Sequence, residues 1–357
     1  MKRDSFILDE MTPLERAKAI KERKNVDRLP CSPSLGEQPT RLIGVSVSKY
    51  LNCPKTMAEA QIEAFKRYGQ DGVGVGPDQY ALIEALGAKM KYFDDNIPQV
   101  DEAFVKNIED IKKIKEIDFS KDGRFPIYLE ALEIIREEIG AFVKVGTGIG
   151  GPFTTAVLLS GMGRFFRDIR QNPEFIHKLL EITTENILAY MEVCFKKGFS
   201  VSIGEPFASN SVISPIQFRK FALPYLKKIG EWFWNKTNKG YSLHICGKTK
   251  AIWPDLLDIG IGSFSLDNAE DLFEAKEIIG DKIALKGNVP PVDIMLHGSA
   301  KDVKEASRNC IIKAYDNPKG FTLGTGCRLP LDTKERNVIA LMDSARFYGK
   351  MPIKIGF

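Results

Sequence analysis

Residues 262–287 read GSFSLDNAEDLFEAKEIIGDKIALKG, and this stretch contains the pattern that decides the fold. A short strand-like run, Gly262–Leu266, leads through a polar turn into a helical pattern, and a second strand-like run, Ile283–Gly287, follows. Strands that alternate with helices favour a parallel sheet with crossover helices. The stretch therefore predicts one strand–helix–strand unit.

The same alternation extends over the chain and gives eight strand candidates, of which the last five each precede a clear helix. Eight such units predict an α/β protein, a single (β/α)8 TIM barrel over residues 1–357, with an N-terminal helical extension at about 1–27 and an irregular insertion at about 87–124. A doubly wound open sheet is the alternative, because a sequence does not show closure. The candidates are Arg28–Pro33, Gly72–Gly76, Phe142–Gly146, Ser200–Gly204, Ser242–Ile245, Gly262–Leu266, Ile283–Gly287 and Thr322–Thr325.

Local signals mark the ends of several elements. Thr12 and Glu15 have the spacing of a capping box, and Ser214 before Pro215 predicts another helix start. The glycine-rich run 146–152 resembles a phosphate-binding loop, but it lacks the Lys-Ser/Thr ending of a P-loop, and Pro152 removes an amide. We expect this run to be a mobile loop over the barrel mouth.

Composition excludes several classes of function. The chain has 51 Lys and Arg against 47 Asp and Glu, a net charge of +4, which is too balanced to suggest nucleic acid or a membrane surface as the partner. No apolar stretch approaches the ~20 residues of a membrane span, and the N-terminus has no secretory signal. We therefore expect a cytoplasmic protein, whose six cysteines are free thiols or metal ligands.

One cluster of residues could carry chemistry. In Leu243-His244-Ile245-Cys246-Gly247, the alternation of a strand places His244 and Cys246 on one face. Cys327 follows the eighth strand candidate, and the carboxyl ends of barrel strands meet at one mouth. One imidazole and two thiolates with an open fourth position suit a catalytic zinc ion, although core packing is the alternative for each residue.

Polar residues at other strand ends could complete the site. Glu205 follows the fourth strand and could be a metal ligand, a partner of His244 or a base. Asp267 follows the sixth strand and could be a displaceable fourth ligand, while helix capping or a rim salt bridge is the alternative for both carboxylates. Lys286 and Asn288 flank Gly287, where a polar contact with substrate is plausible.

Several motifs resemble the uroporphyrinogen decarboxylase superfamily over nearly the whole chain. They begin with Met11-Thr12-Pro13-Leu14-Glu15-Arg16 and Val26-Asp27-Arg28-Leu29-Pro30, and they continue with Gly151-Pro152-Phe153-Thr154-Thr155-Ala156. They end with Gly326-Cys327 and the last helix, 337–349. Members of this superfamily are single (β/α)8 barrels, so the resemblance implies the same fold here.

The residues distinguish two branches of that superfamily. Decarboxylases carry an arginine-rich motif after the first strand, which grips porphyrinogen carboxylates, whereas residues 31–38 here contain no arginine before Arg41. Zinc methyltransferases that act on corrinoids carry His-x-Cys and a distant Cys, and His244, Cys246 and Cys327 match that motif. Asp267 falls where some relatives carry a carboxylate that is the exchangeable ligand.

The resemblance implies a zinc-dependent methyltransferase that moves a methyl group between a corrinoid protein and a small substrate, with coenzyme M as the expected thiol. The alternatives are a Co(I)-dependent demethylase of methyl ethers or methylamines, a uroporphyrinogen decarboxylase, and a noncatalytic zinc or corrinoid-chaperoning barrel. No Asp-x-His-x-x-Gly motif is present, so we expect the corrinoid to come from a partner protein. A homodimer is a possible assembly.

Overall fold

The sheet consists of parallel strands that pair with their neighbours in chain order. In the computed structural model, which describes residues 8–353, the strands are β1 (Val73–Gly74), β2 (Met90–Lys91), β3 (Gln99–Val100), β4 (Val145–Gly150), β5 (Ser200–Gly204), β6 (Tyr241–Ile245), β7 (Ile261–Leu266), β8 (Ala284–Val289) and β9 (Phe321–Thr325). The main sheet has the order β1-β4-β5-β6-β7-β8-β9, and all its pairs are parallel. β2 and β3 form a separate antiparallel pair within the predicted insertion.

An extended segment around Cys31 joins the two edges of this sheet. The backbone NH of Leu323 in β9 donates to the carbonyl of Pro30, and the NH of Ser32 donates back to Leu323, both at 2.9 Å. On the other side, the NH of Asp71 donates to the carbonyl of Cys31 at 2.8 Å, just before β1. The first strand candidate, Arg28–Pro33, is thus not a continuous strand. It forms two isolated bridges, Arg28 with Lys350 and Cys31 with Leu323, yet the segment around Cys31 occupies the eighth position of a TIM barrel.

Helices surround the sheet, and the capping signals at Thr12 and Ser214 are both confirmed as capping boxes. No helix among residues 8–353 is long and apolar enough to cross a membrane. The helices are α1 (Pro13–Lys21), α2 (Thr40–Ile43), α3 (Val47–Asn52), α4 (Pro54–Tyr68), α5 (Ala81–Ala85), α6 (Ile108–Ile111), α7 (Phe125–Ile139), α8 (Pro152–Ser160), α9 (Met162–Gln171), α10 (Pro173–Lys196), α11 (Pro215–Phe221), α12 (Leu223–Thr237), α13 (Trp253–Leu256), α14 (Leu272–Ile279), α15 (Ala300–Ala314) and α16 (Glu335–Phe347).

An ion-pair network attaches α1 to the lower end of the barrel, where the strands begin. The fully buried Arg16 guanidinium contacts the carboxylates of Asp27, at 2.7 Å, and of Asp71. Arg28, also buried, pairs with Asp71 at 2.7 Å and with Asp9 at 2.6 Å. Buried charges of both signs are tolerated because each guanidinium meets at least two carboxylates.

The inner face of the barrel is hollow. Side chains that point outward from β4 to β7, such as Ile149 and Leu243, are buried beneath the helices, whereas the inward positions are partly exposed. TIM barrels are usually filled by bulky branched residues, but the inward positions of β4 to β7 hold only glycine, serine and His244. The small ones are Gly146, Gly148, Gly150, Ser200, Ser202, Gly204, Ser242, Ser263 and Ser265.

This lumen explains why the prediction for residues 146–152 is wrong. Residues 145–150 form β4, and Pro152 begins α8, so no mobile loop exists there. The glycines mimic a loop in the sequence because they alternate with Val145, Thr147 and Ile149, which pack outward. Two of these glycines are needed for space: an added Cβ would lie 2.5 Å from the Ser200 hydroxyl at Gly146 and 2.9 Å from the Ser202 hydroxyl at Gly148.

Candidate active site

Two of the predicted metal ligands project from the end of β6. His244 is inside the strand, in register with Gly204 of β5 and Ser265 of β7. Cys246 follows the strand, and its Sγ lies 3.1 Å from His244 Nε2. Gly247 then turns the chain at φ +69°, and an added Cβ there would meet the Ser211 hydroxyl at 2.6 Å. Glycine is required at this turn because both its dihedral angle and its surroundings exclude a side chain.

Cys327 lies near Cys246, although it comes from β9, the last strand in the order of the sheet. It follows β9, and the hydroxyl of Thr325 donates to its backbone carbonyl at 2.7 Å, which fixes the turn. The Sγ atoms of Cys327 and Cys246 lie 3.6 Å apart. One ligand atom each from His244, Cys246 and Cys327 lies within 4.8 Å of the others, so the structure brings the three predicted ligands together.

The strand next to β6 sets the orientation of the imidazole. His244 Nδ1 lies 2.9 Å from the backbone carbonyl of Ser265, which can only accept a hydrogen bond. Nδ1 therefore carries the proton, and Nε2 keeps its lone pair toward the two sulfurs. The identity of the Ser265 side chain gave no signal for this role, because the contact is made by the backbone carbonyl. Only the register of β7 against β6 could have predicted which carbonyl contacts His244.

The contact between Cys246 and Cys327 shifts the pKa values of the two thiols in opposite directions. The hydrogen bond from the Cys246 thiol lowers the pKa of Cys327, although burial opposes this shift. The same interaction with Cys327, with burial and the charge of Asp267, raises the pKa of Cys246. The pair thus favours a thiolate at Cys327. One oriented imidazole lone pair and two converging sulfurs form a donor set that fits zinc.

The structure places Glu205 beneath the start of α8. Its carboxylate accepts hydrogen bonds from the backbone NH groups of Phe153 and Thr154, both at 2.9 Å, and from the Thr154 hydroxyl at 2.7 Å. Burial raises the pKa of Glu205 to about 7, and these hydrogen bonds partly offset the shift. Its own backbone NH donates to the carbonyl of His244 at 2.8 Å. Glu205 therefore links α8 to the strand that carries His244.

Asp267 lies beside the cluster without joining it. Its carboxylate accepts a hydrogen bond from the backbone NH of Ala269 at 2.8 Å within the loop after β7, and the residue that caps α14 is Asp271 instead. The charge of Asp267 is nevertheless near enough to raise the pKa of Cys246. Asn288, which lies within β8, uses its side-chain amide to donate to the backbone carbonyls of Asp267 and Glu270. Asn288 thus fixes the loop that contains Asp267, and a ligand role for Asp267 stays a prediction.

A cavity of about 1170 Å³ connects the cluster to the hollow interior. Cys246 and Cys327 line its mouth, and Lys144, just before β4, lines its far end. A cavity of this size accommodates a small-molecule substrate. The site is therefore a soft ligand set at the top of a channel of small side chains.

Comparison with known proteins places this geometry in a family. The model of the family described as uroporphyrinogen decarboxylase (URO-D) matches residues 12–348. A methylcobamide:CoM methyltransferase, MtbA, of Methanosarcina acetivorans is 29% identical over 349 residues, which cover 96% of this chain and 99% of the relative. A methylated-thiol–coenzyme M methyltransferase of Methanosarcina mazei is 24% identical, covering 95% of this chain and 90% of the relative.

A solved structure agrees with these sequence matches. A methyltransferase from Methanosarcina mazei superposes with a TM-score of 0.83 at 26% identity, and the alignment covers 94% of this chain and 98% of that protein. The similarity extends through the barrel and both of its ends, so it includes the strands from which the cluster projects.

Proposed function

We propose that this chain, which belongs to the uroporphyrinogen decarboxylase family, is a methyltransferase that moves a methyl group between a corrinoid held by a separate protein and a thiol such as coenzyme M. The observation that carries the proposal is the convergence of His244, Cys246 and Cys327 at the mouth of the barrel. The methyltransferase relatives, which align over nearly their whole length, support it.

His244, Cys246 and Cys327 would hold a zinc ion, with Asp267 as a candidate for the exchangeable position. When bound, zinc supplies a Lewis acid that lowers the pKa of an incoming thiol, so that a thiolate is available at neutral pH. The protein's own contribution is orientation. The Ser265 carbonyl fixes the His244 tautomer, and Glu205 positions α8 against the His244 strand.

The transfer balances as a nucleophilic displacement. The acceptor sulfur forms a bond to the methyl carbon with its own electron pair, while the methyl–cobalt bond breaks and leaves both electrons on cobalt as Co(I). The site provides room for this reaction, since Gly204, beside His244, has no atom within 4 Å of where a Cβ would lie. We propose that the partner protein presents the flat corrinoid at the open mouth.

The mouth of this barrel is poorly suited to a porphyrinogen that bears many carboxylates. Residues 31–38 contain no arginine, and the first one that follows, Arg41, is already paired with Asp95 and Asp332. A substrate of that kind needs cations that are free to pair with it. The arrangement therefore favours methyl transfer over decarboxylation.

The decisive experiment measures methyl transfer from free methylcobalamin to coenzyme M with the zinc-loaded protein. We expect the spectrum of methylcobalamin to convert to that of cob(I)alamin under anaerobic conditions, together with methylated thiol. Cys246→Ala should abolish the conversion, and Cys53→Ser, a change at a cysteine outside the site, should not. Turnover of a methyl ether or methylamine with Co(I), and none with thiols, would identify a demethylase instead.

We also propose a cytoplasmic location. All six cysteines are unpaired thiols in the structure, including the two that would bind zinc, and a reducing compartment keeps them so.

A further inference from the structure

Lys286 is a cation inside the barrel without an anionic partner. It lies on β8 in register with Ser265 of β7, which is in turn in register with His244 of β6. Strands are about 4.8 Å apart, so the Cα atoms of Lys286 and His244 are separated by about two such spacings, or ~10 Å, at one level of the barrel. Both side chains line the same cavity. Among the described residues, none forms an ion pair or hydrogen bond with the Lys286 ammonium group.

The fold makes room for this side chain. An added Cβ at Gly324, on the neighbouring strand β9, would lie 3.1 Å from Lys286 Cε and 3.0 Å from the backbone oxygen of Ser32. Burial lowers the pKa of Lys286, and only the nearby Cys31 thiol opposes the shift. An unpaired amine that is kept away from bulk water gains more from an anionic ligand than an exposed lysine does.

Two other charged residues on the cavity wall, Arg328 and Asp71, are already neutralised, whereas Lys144 and Lys239 lie exposed at the far end of the cavity. Arg328, next to Cys327, forms two hydrogen bonds with Glu37, at 2.9 and 3.0 Å. Asp71 is held by the buried guanidinium groups of Arg16 and Arg28. Neither residue offsets the charge of Lys286, and the cavity therefore favours an anion near it.

A second polar group on the cavity wall also lacks a partner. Gln70 is 1% exposed and lines the same cavity, and neither its amide nitrogen nor its amide oxygen has a hydrogen-bond partner in the described structure. Buried polar groups are nearly always satisfied by protein, water or ligand. Its orphaned amide is independent evidence that the lumen is built to receive a polar molecule.

We propose that the lumen below the metal centre binds the anionic group of the methyl acceptor, and that the ammonium group of Lys286 is its counter-ion. The acceptor would be a short mercapto acid, with sulfur at the cluster of His244, Cys246 and Cys327 and a sulfonate or carboxylate at Lys286. This inference rests on the proposed thiol methylation. It assigns Lys286 as the residue that selects charged over neutral thiols.

The test separates anion binding from catalysis by using ethanesulfonate, which has the anionic group but no thiol. Calorimetry should show that the zinc-loaded wild type binds ethanesulfonate, and that Lys286→Gln and Lys286→Met weaken binding about tenfold or more, the range for a hydrogen bond to a charged group. The matched control is Lys144→Gln, which removes the same charge at the far end of the cavity and should change the affinity less than about twofold, since exposed charges contribute little.

Kinetics with two thiols give a second readout. In the methylcobalamin assay, Lys286→Gln should raise KM for 2-mercaptoethanesulfonate about tenfold or more, with little change in kcat. KM for the neutral 2-mercaptoethanol should stay at the wild-type value, which a general structural defect would not allow. Thermal melting and zinc content of each variant establish that it is folded and loaded.

The two proposals fail in different ways. If no thiol is methylated, the proposed thiol methylation is wrong, and ethanesulfonate binding still decides the anion subsite. If Lys286→Gln, Lys286→Met and Lys144→Gln bind ethanesulfonate as the wild type does, or if the wild type does not bind it, the anion subsite is wrong. If Lys286→Gln does not fold, Lys286→Met alone decides, because it keeps the length and apolar stem of the side chain.

Discussion

The Sγ atoms of Cys246 and Cys327 lie 3.6 Å apart although 81 positions separate the two residues in the chain. Cys246 follows β6 and Cys327 follows β9, three strands further around the sheet. Only a strongly curved sheet can bring these strand ends together, since three flat spacings would separate them by about 14 Å. The closeness of the two thiols is therefore a direct product of the barrel, and it links the fold to the proposed metal chemistry.

Replacement of Cys327 by serine is expected to abolish zinc binding. Loss of one of three protein ligands leaves two donors, fewer than catalytic zinc sites use. We expect close to one zinc per chain in the wild type, by mass spectrometry of the metal, less than about a tenth of that in Cys327→Ser, and a fall in methyl transfer of about 100-fold or more. Cys53→Ser is the matched control. Full zinc occupancy of Cys327→Ser would contradict the assignment of this ligand.

Two substitutions of Glu205 should separate positioning from proton transfer. Glu205→Ala leaves two backbone NH groups and the Thr154 hydroxyl without an acceptor, so we expect it to lower the free energy of unfolding by about 2–4 kcal/mol. Glu205→Gln retains the shape and one acceptor oxygen, although its amide NH2 faces one of the two backbone NH groups, so it should lose less stability than Glu205→Ala and keep most of kcat. A folded Glu205→Gln protein without turnover would instead support the acid–base role predicted from the sequence.

Stability should fall in acid because of the network around Arg16 and Arg28. Burial alone would raise the pKa of Asp27, but the hydrogen bond and charge of Arg16 lower it overall, and Arg28 and Arg346 lower the pKa of Asp9 in the same way. Carboxylates with lowered pKa values stabilise the fold above the pKa of the unfolded chain. That stability is lost as the pH falls through the folded values.

Asp27→Asn tests this pH dependence by denaturant unfolding at several pH values. The variant should be about 3 kcal/mol less stable at pH 7, because the buried Arg16 loses one of its carboxylates. The difference from the wild type should shrink below pH 4, where the wild-type carboxylate becomes protonated as well. Asp281→Asn, on an exposed carboxylate at the end of α14, is the control. A difference that is constant with pH would refute the electrostatic explanation.

Filling the lumen beside His244 should impair substrate binding without harming the fold. Gly204 faces the cavity in register with His244, and an added Cβ would contact nothing within 4 Å. Valine fits an extended strand better than glycine does, so Gly204→Val should leave the melting temperature unchanged or higher. It should raise KM for the thiol about tenfold or more, at a cost of ~1.4 kcal/mol in binding. Gly163→Ala, in the exposed helix α9, should not change KM. An unaltered KM in Gly204→Val would argue against binding in the lumen.

The sequence was sufficient for the later part of the barrel and for the metal cluster. From β5 onward, the strands alternate outward apolar residues with small or functional inward ones, and a helix follows each strand, although α13 after β6 has only 4 residues. The pattern of the sequence therefore reflects the local structure directly. His244 and Cys246 share a strand face for the same reason. Once the strands are assigned to one barrel, Cys327 must lie near them.

The early part of the barrel could not be predicted as well because its signals come from tertiary structure. The Cys31 segment is held by backbone hydrogen bonds to both edges of the sheet, which no local pattern encodes. The glycines of β4 resemble a loop unless the hollow lumen is known. Lys286 was recognisable as a polar residue near a strand end, but its lack of a partner depends on the side chains that the folded barrel places around it.

The hollow interior of the barrel has a consequence for how such a protein can change. The glycine and serine residues inside β4 to β7 contribute few apolar contacts. The fold is therefore stabilised mainly by the apolar layer between the sheet and its helices, where residues such as Ile203 and Phe264 are buried. Substitutions at open interior positions such as Gly204, where an added Cβ meets nothing within 4 Å, therefore leave that layer intact. The stability of the fold and the selectivity for the acceptor depend on different sets of positions. New acceptor preferences can therefore evolve, or be engineered, with little loss of stability.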